Sequence, residues 1–172
     1  MKKIYLILSM VALVFSAQTT SAQDNSMDIV DIAVSVDDFS TLVTALKAAD
    51  LVTALQGDGP FTVFAPVNAG FAKIDSNTMN SLLAPENKEQ LAAILTYHVV
   101  AGKVDAAAVV AALEAGNGKA ELKTLNGEML TAVSKDDGIY LMDQSGNYSK
   151  VTKTDVMASN GVIHIIEDVV MP

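Results

Sequence analysis

Two histidines, His98 and His164, are the side chains of this sequence best suited to proton transfer or metal ligation near neutral pH. A structural zinc site takes four ligands, mostly Cys and His, and a catalytic one typically takes three plus water. The chain has no cysteine, so carboxylates would have to complete such a shell. Glu167 and Asp168 follow His164 closely, but adjacent residues on a strand point to opposite faces. Neither a metal nor any other cofactor is expected. A serine hydrolase needs Ser, His and a carboxylate, with the serine exposed as in Gly-x-Ser-x-Gly. Asp143-Gln144-Ser145-Gly146 lacks the first glycine and reads as a turn. Asp143, Ser145 and Asn147 have the alternate spacing of a calcium loop, but that loop wants Gly and Glu where Tyr148 and Thr154 stand. Asn147-Tyr148-Ser149 is a glycosylation triplet, meaningful only in a eukaryotic secretory pathway. There is no Gly-x-Gly-x-x-Gly run and no P-loop.

His164 sits inside Val162-Ile163-His164-Ile165-Ile166. On a strand Val162, His164 and Ile166 share one face, and Ile163 and Ile165 share the other. A strand apolar on both faces is buried, and a buried imidazole must have hydrogen-bond partners. The expectation is a satisfied core histidine. His98 continues a helical stripe, Leu91, Ile94 and Leu95, and points inward if that helix holds so far. Burial and backbone bonding of His98 would remove the best candidate for an enzymatic base.

The elements that must position these residues follow from periodicity and breakers. Lys2 and Lys3, an apolar run from Ile4 to Phe15 and a small-residue site at Thr20-Ser21-Ala22 have the grammar of a cleaved export signal. Residues 1–22 are thus read as signal and 23–172 as one domain, with no repeat or linker and no segment for membrane insertion. That length can bury roughly 70% of the unfolded surface. Hydrophobic residues make up 51% of the chain, so a core can form without disulfides. The net charge is −9 and arginine is absent, which argues against nucleic-acid and phosphate partners and against anionic membranes.

Ser26 could cap a helix through Met27–Ala33, and Asp37 or Asp38 could start a second carrying Phe39, Leu42, Val43 and Leu46 inward. Asp50 is expected to cap a short segment from Leu51 to Gln56, ended by Gly57-Asp58-Gly59-Pro60. Phe61–Phe64 is a β-rich run stopped at Pro66, and Asn68 begins another helical turn. Ser76 or Asn77 opens a helical segment, and Pro85 fits the first turn of the next. From Lys119 onward the pattern is β. Asn126-Gly127 predicts a two-residue hairpin turn, and Asp136-Asp137-Gly138 and Ser145-Gly146-Asn147 mark two more. Helices first and strands later predict an α+β fold.

Three stretches then acquire a common meaning. Phe61-Thr62-Val63-Phe64-Ala65-Pro66-Val67-Asn68-Ala69-Gly70-Phe71 resembles the first signature of fasciclin-like domains. Leu95-Thr96-Tyr97-His98-Val99-Val100 resembles their Tyr-His segment, and Asp155 to Glu167 resembles their second signature. Val67 replaces the usual threonine, and Gly70 is a second departure. The resemblance implies a β-wedge or sandwich of about six to seven strands with several helices packed at one side, the two signatures lying as neighbouring core strands. Thr62, Phe64, Pro66, Asn68, Asn160, Gly161 and His164 become its structural motif residues. The resemblance also implies adhesion or matrix binding by a secreted, cell-surface or periplasmic protein. Recognition residues carried over from the family are Asp155, Val156, Met157, Tyr97 and His98, although Asp155 could equally cap a turn and its apolar neighbours could be core. The expected partner is a cell-surface or matrix protein or a polysaccharide, and self-association is possible. The contrasting reading is a small-ligand-binding or weakly hydrolytic protein on the same fold, with His98 as its titratable group.

Overall fold

Two apolar runs from opposite ends of the sequence find each other. In the computed structural model, which describes residues 26–135 and 137–172, β1 (Phe61–Pro66) lies parallel to β7 (Gly161–Ile166). The register runs from Phe61 opposite Gly161 to Pro66 opposite Ile166. Both strands are apolar on both faces and cannot face water on either. The expected signal segment and its cleavage point lie outside the described residues, as does Asp136 of the expected turn.

β2 (Val99–Ala101) flanks β1, and the long β6 (Tyr148–Ala158) flanks β7. Beyond β6 follow β5 (Gly138–Met142), β4 (Met129–Lys135) and β3 (Lys119–Lys123). The order among the described residues is β2-β1-β7-β6-β5-β4-β3. The sheet rolls until its ends nearly meet: Val100 bridges Thr124, and the Leu125 amide donates to the Val99 carbonyl at 2.7 Å.

Rolling the sheet creates two cores. Val63, Ala65 and Ile163 face outward, against apolar stripes of α1 (Ile29–Ser35), α2 (Ser40–Ala48) and α6 (Lys88–Tyr97). Phe64 and Ile166 face inward with Leu130, Ala132 and Leu141, and Val109 and Leu113 of α7 (Ala106–Ala115) close that core. The short helices α3 (Val52–Leu55), α4 (Asn68–Phe71) and α5 (Ser76–Leu82) complete the helical side. The fold is α+β, with the two signatures paired at its centre.

Several boundaries differ from expectation for local reasons. Asp28, not Ser26, caps α1, in a reciprocal box where Asp31 accepts from the Asp28 amide in return. Asp50 caps nothing; it has φ 55° and pairs with Lys88, leaving α3 without a side-chain cap. β1 runs through Pro66, which tolerates the strand end where no ladder N–H is required. The Asn126-Gly127 turn has three loop residues, not two. The Thr124 amide donates to Glu128, the Gly127 amide donates to Thr124, and Gly127 has φ 93°, the pattern of a type I turn followed by a glycine bulge. α7 and β2 fill a stretch for which the sequence suggested no element.

Candidate functional site

Three residues of the two signatures converge on one loop. His164 is buried, and its Nε2–H donates to the Val104 carbonyl at 2.7 Å. A carbonyl has no proton to give, so Nε2 carries the hydrogen of this bond, and Nδ1 lies 3.4 Å from the Asp155 amide that donates to it. The ring stacks on Phe64, centroids 5.5 Å apart. Thr62 donates to the Gly102 carbonyl at 2.7 Å and accepts from the Val104 amide at 2.8 Å. Asp155 sits in an irregular stretch of β6 with φ 58°, a conformation that Asp and Asn tolerate better than most residues. Its carboxylate accepts from the Ala106 amide at 2.8 Å, in the first turn of α7 that Asp105 caps. Thr62, His164 and Asp155 therefore pin the 102–106 segment and with it the start of α7.

Asn160 and Asn68 hold the helical side in the same manner. Asn160 accepts from the Ile29 amide at 3.0 Å and donates to the Leu55 and Gly57 carbonyls at 2.7 and 3.2 Å. Gly161 beside it has no room for a side chain, since a Cβ would lie 2.0 Å from the Phe61 carbonyl oxygen. Asn68 accepts from the Thr41 amide and donates to the Asp37 carbonyl, both at 2.9 Å, tying α4 to the start of α2. Pro66 is buried at the end of β1.

Tyr97 and His98 end α6 and lie inside. The Tyr97 hydroxyl donates to the Met129 carbonyl at 3.1 Å, and burial, with Asp143 and Glu128 nearby, pushes its pKa up to about 12. His98 is 2% exposed. Its Nδ1–H donates to the Ile94 carbonyl at 2.8 Å, and Nε2 accepts from the Val170 amide at 3.2 Å. Burial lowers its pKa to about 4, so it is neutral at neutral pH. Asp155, Val156 and Met157 are half-buried on β6, and His98 and Asp155 share no hydrogen-bond partner. The turn that resembled a calcium loop is closed internally: Asp143 is buried and accepts from the Asn147 amide and side chain at 2.8 and 3.0 Å.

Two solvent-facing features bear on recognition. An open groove of about 640 Å³ runs past Asn160 and Gly161, with Asp28, Asp31, Asp58 and Lys103 among its walls. No histidine lines it, so its serines, Ser26 and Ser159, have no imidazole base there. Among the described residues no group of three or more His, Cys, Asp or Glu is placed to hold a metal ion. The second surface is the outer face of β4, β5 and β6, where Tyr140 and Tyr148 lie beside Lys135 and Lys150. Sequence reasoning missed this cluster. The alternation in β5 and β6 could have placed each ring outward, but their adjacency depends on a register that only the folded sheet displays.

Comparison with known proteins agrees with this architecture. The family model described as Fasciclin domain matches residues 37–172. Protein sll1483 of Synechocystis is 49% identical over 88% of this chain and 77% of its own length. Immunogenic protein MPB70 of Mycobacterium bovis is 34% identical over 88% of the chain and 73% of its own. Transforming growth factor-beta-induced protein ig-h3 of Sus scrofa is 33% identical over 89% of this chain, which spans 20% of that longer protein.

Proposed function

The chain belongs to the fasciclin domain family, and from that premise we propose that it is an exported adhesion or matrix-interaction protein working by non-covalent binding. The observation that carries this reading is where its polar motif residues are spent. Thr62, Asn68, Asn160 and His164 are engaged with backbone groups that hold elements together, so they build a scaffold and leave recognition to the outer surface. A disulfide-free domain with net charge −9 stays dispersed in solution and can act by presenting a face. Asp155, Val156 and Met157 are accessible enough to take part. Tyr97 and His98 would contribute by shaping the end of α6 from within. The hydrolytic alternative loses its base, because both ring nitrogens of His98 are bonded and the ring is buried.

Labelled purified protein incubated with intact producer cells and candidate host cells tests the proposal. Saturable, competable binding is the expected result, and its absence from every surface tried would overturn it. Asp155→Asn keeps an acceptor and a residue tolerant of φ 58° while removing the charge. A loss of binding at unchanged melting temperature would place Asp155 in the contact.

A further inference from the structure

The strand register arranges the outer face of β3 to β6 into two cross-strand rows. Lys119 lies opposite Val133, Val133 opposite Tyr140, and Tyr140 opposite Lys150. The next row runs Glu121, Thr131, Met142 and Tyr148. Strand alternation turns both rows away from the inner core of Leu130, Ala132 and Leu141.

Beside these rows Lys135 and Asp137 join the two rings and Lys150 in one held cluster. Tyr140 and Tyr148 meet edge to face, centroids 6.5 Å apart. Lys135 Nζ lies 3.3 Å from the centroid of Tyr148 and 4.8 Å from that of Tyr140, and Lys150 Nζ lies 5.8 Å from Tyr140. Asp137 accepts from the Tyr140 hydroxyl at 2.7 Å and from Lys150 at 2.9 Å, fixing both. Tyr148 is 43% exposed, and the third described tyrosine, Tyr97, is buried. The described tyrosines outside the core thus collect in one patch, with ammonium groups at their faces, on a protein whose net charge is −9.

We propose that this face docks a carboxylate-bearing polysaccharide, a polyuronate in chemical class, which deepens the binding function proposed above and rests on it. A sugar offers a C–H face to an aromatic ring, and an amphipathic tyrosine can take it while keeping its hydroxyl wet. A uronate carboxylate meets the ammonium of Lys135 and draws it off the Tyr148 ring, exchanging a cation–π contact for an ion pair and freeing that ring face for the sugar. Charge complementarity selects an anion, and charge density limits it. Asp137 lies within the patch, Glu121 lies on the same face, and the whole molecule is acidic, so a densely sulfated chain is repelled where one charge per sugar is accepted.

Affinity electrophoresis and calorimetry of the intact protein with polygalacturonate test this, with dextran sulfate and neutral dextran as comparison arms. Polygalacturonate should bind and the other two should not. Tyr148→Ala and, as the milder variant, Lys135→Gln should each weaken binding at least tenfold at unchanged melting temperature, and 0.5 M salt should weaken it further. Failure of polygalacturonate to bind overturns the proposal, as does equal binding by the variants or a preference for either comparison polymer. Cell binding measured in parallel separates the two claims. Saturable cell binding without polygalacturonate binding removes only this site, whereas loss of both removes the function it rests on.

Discussion

Asn160 joins three segments through one amide, so Asn160→Ala leaves the Ile29 N–H and the Leu55 and Gly57 carbonyls without that partner. The expected loss is about 1–3 kcal/mol, seen as a lower urea midpoint at unchanged slope. His164→Ala should cost a similar amount, because it removes the partner of Val104 and the ring stacked on Phe64. His98 makes stability depend on pH. Its folded pKa of about 4 lies below the ordinary value near 6.5, so the unfolded chain takes up the proton first as pH falls. Its contribution is therefore complete above about pH 6.5 and declines toward pH 4, by on the order of 3 kcal/mol in total. Urea titrations between pH 7.5 and 5, above the range where most carboxylates titrate, should show the decline. A flat profile there would mean that His98 is solvated.

α7 depends on neighbours distant in sequence, since Asp155 on β6 accepts from the Ala106 amide. Asp155→Ala should cost about 1 kcal/mol, the usual value of a lost helix-end acceptor, and should speed amide exchange in α7 more than in α6. Asp155→Asn should leave both unchanged. α7 was also the element least legible in the sequence. Ala106-Ala107-Ala108-Val109-Val110-Ala111-Ala112 has no polar residue to mark a face, so periodicity had nothing to register. The signatures were the opposite case: Val162 to Ile166 announced a strand buried on both faces, and β7 is one. The burial of His98 followed from its place on the α6 stripe, because spacing alone decides which way a helical side chain points. Asp50 misled because an aspartate before an apolar run suits a cap and a left-handed turn equally well. The Tyr140–Tyr148 patch was invisible for another reason: it exists only once β5 and β6 pair in register.

Charge is distributed unevenly over the molecule. Asp28, Asp31, Asp37, Asp38 and Asp75 cluster at helix starts, where the dipoles favour them, while Lys119, Lys123, Lys135 and Lys150 belong to the sheet half. Screening the acidic side should therefore stabilise the protein. Raising NaCl from 10 mM to 300 mM is expected to add about 1 kcal/mol, or about 2–4 °C in Tm. A Tm that falls with salt would mean that attractive pairs such as Lys73–Asp168 outweigh the repulsion. The two cores share β1 and β7 as their common wall, so calorimetry should show one transition rather than two. That shared wall also sets an order of events in synthesis. β1 must wait for a parallel partner made much later in synthesis, so neither core can close before β7 has emerged. A polypeptide built this way stays open along its length until its second signature has been made, so its folding is timed by the arrival of one strand.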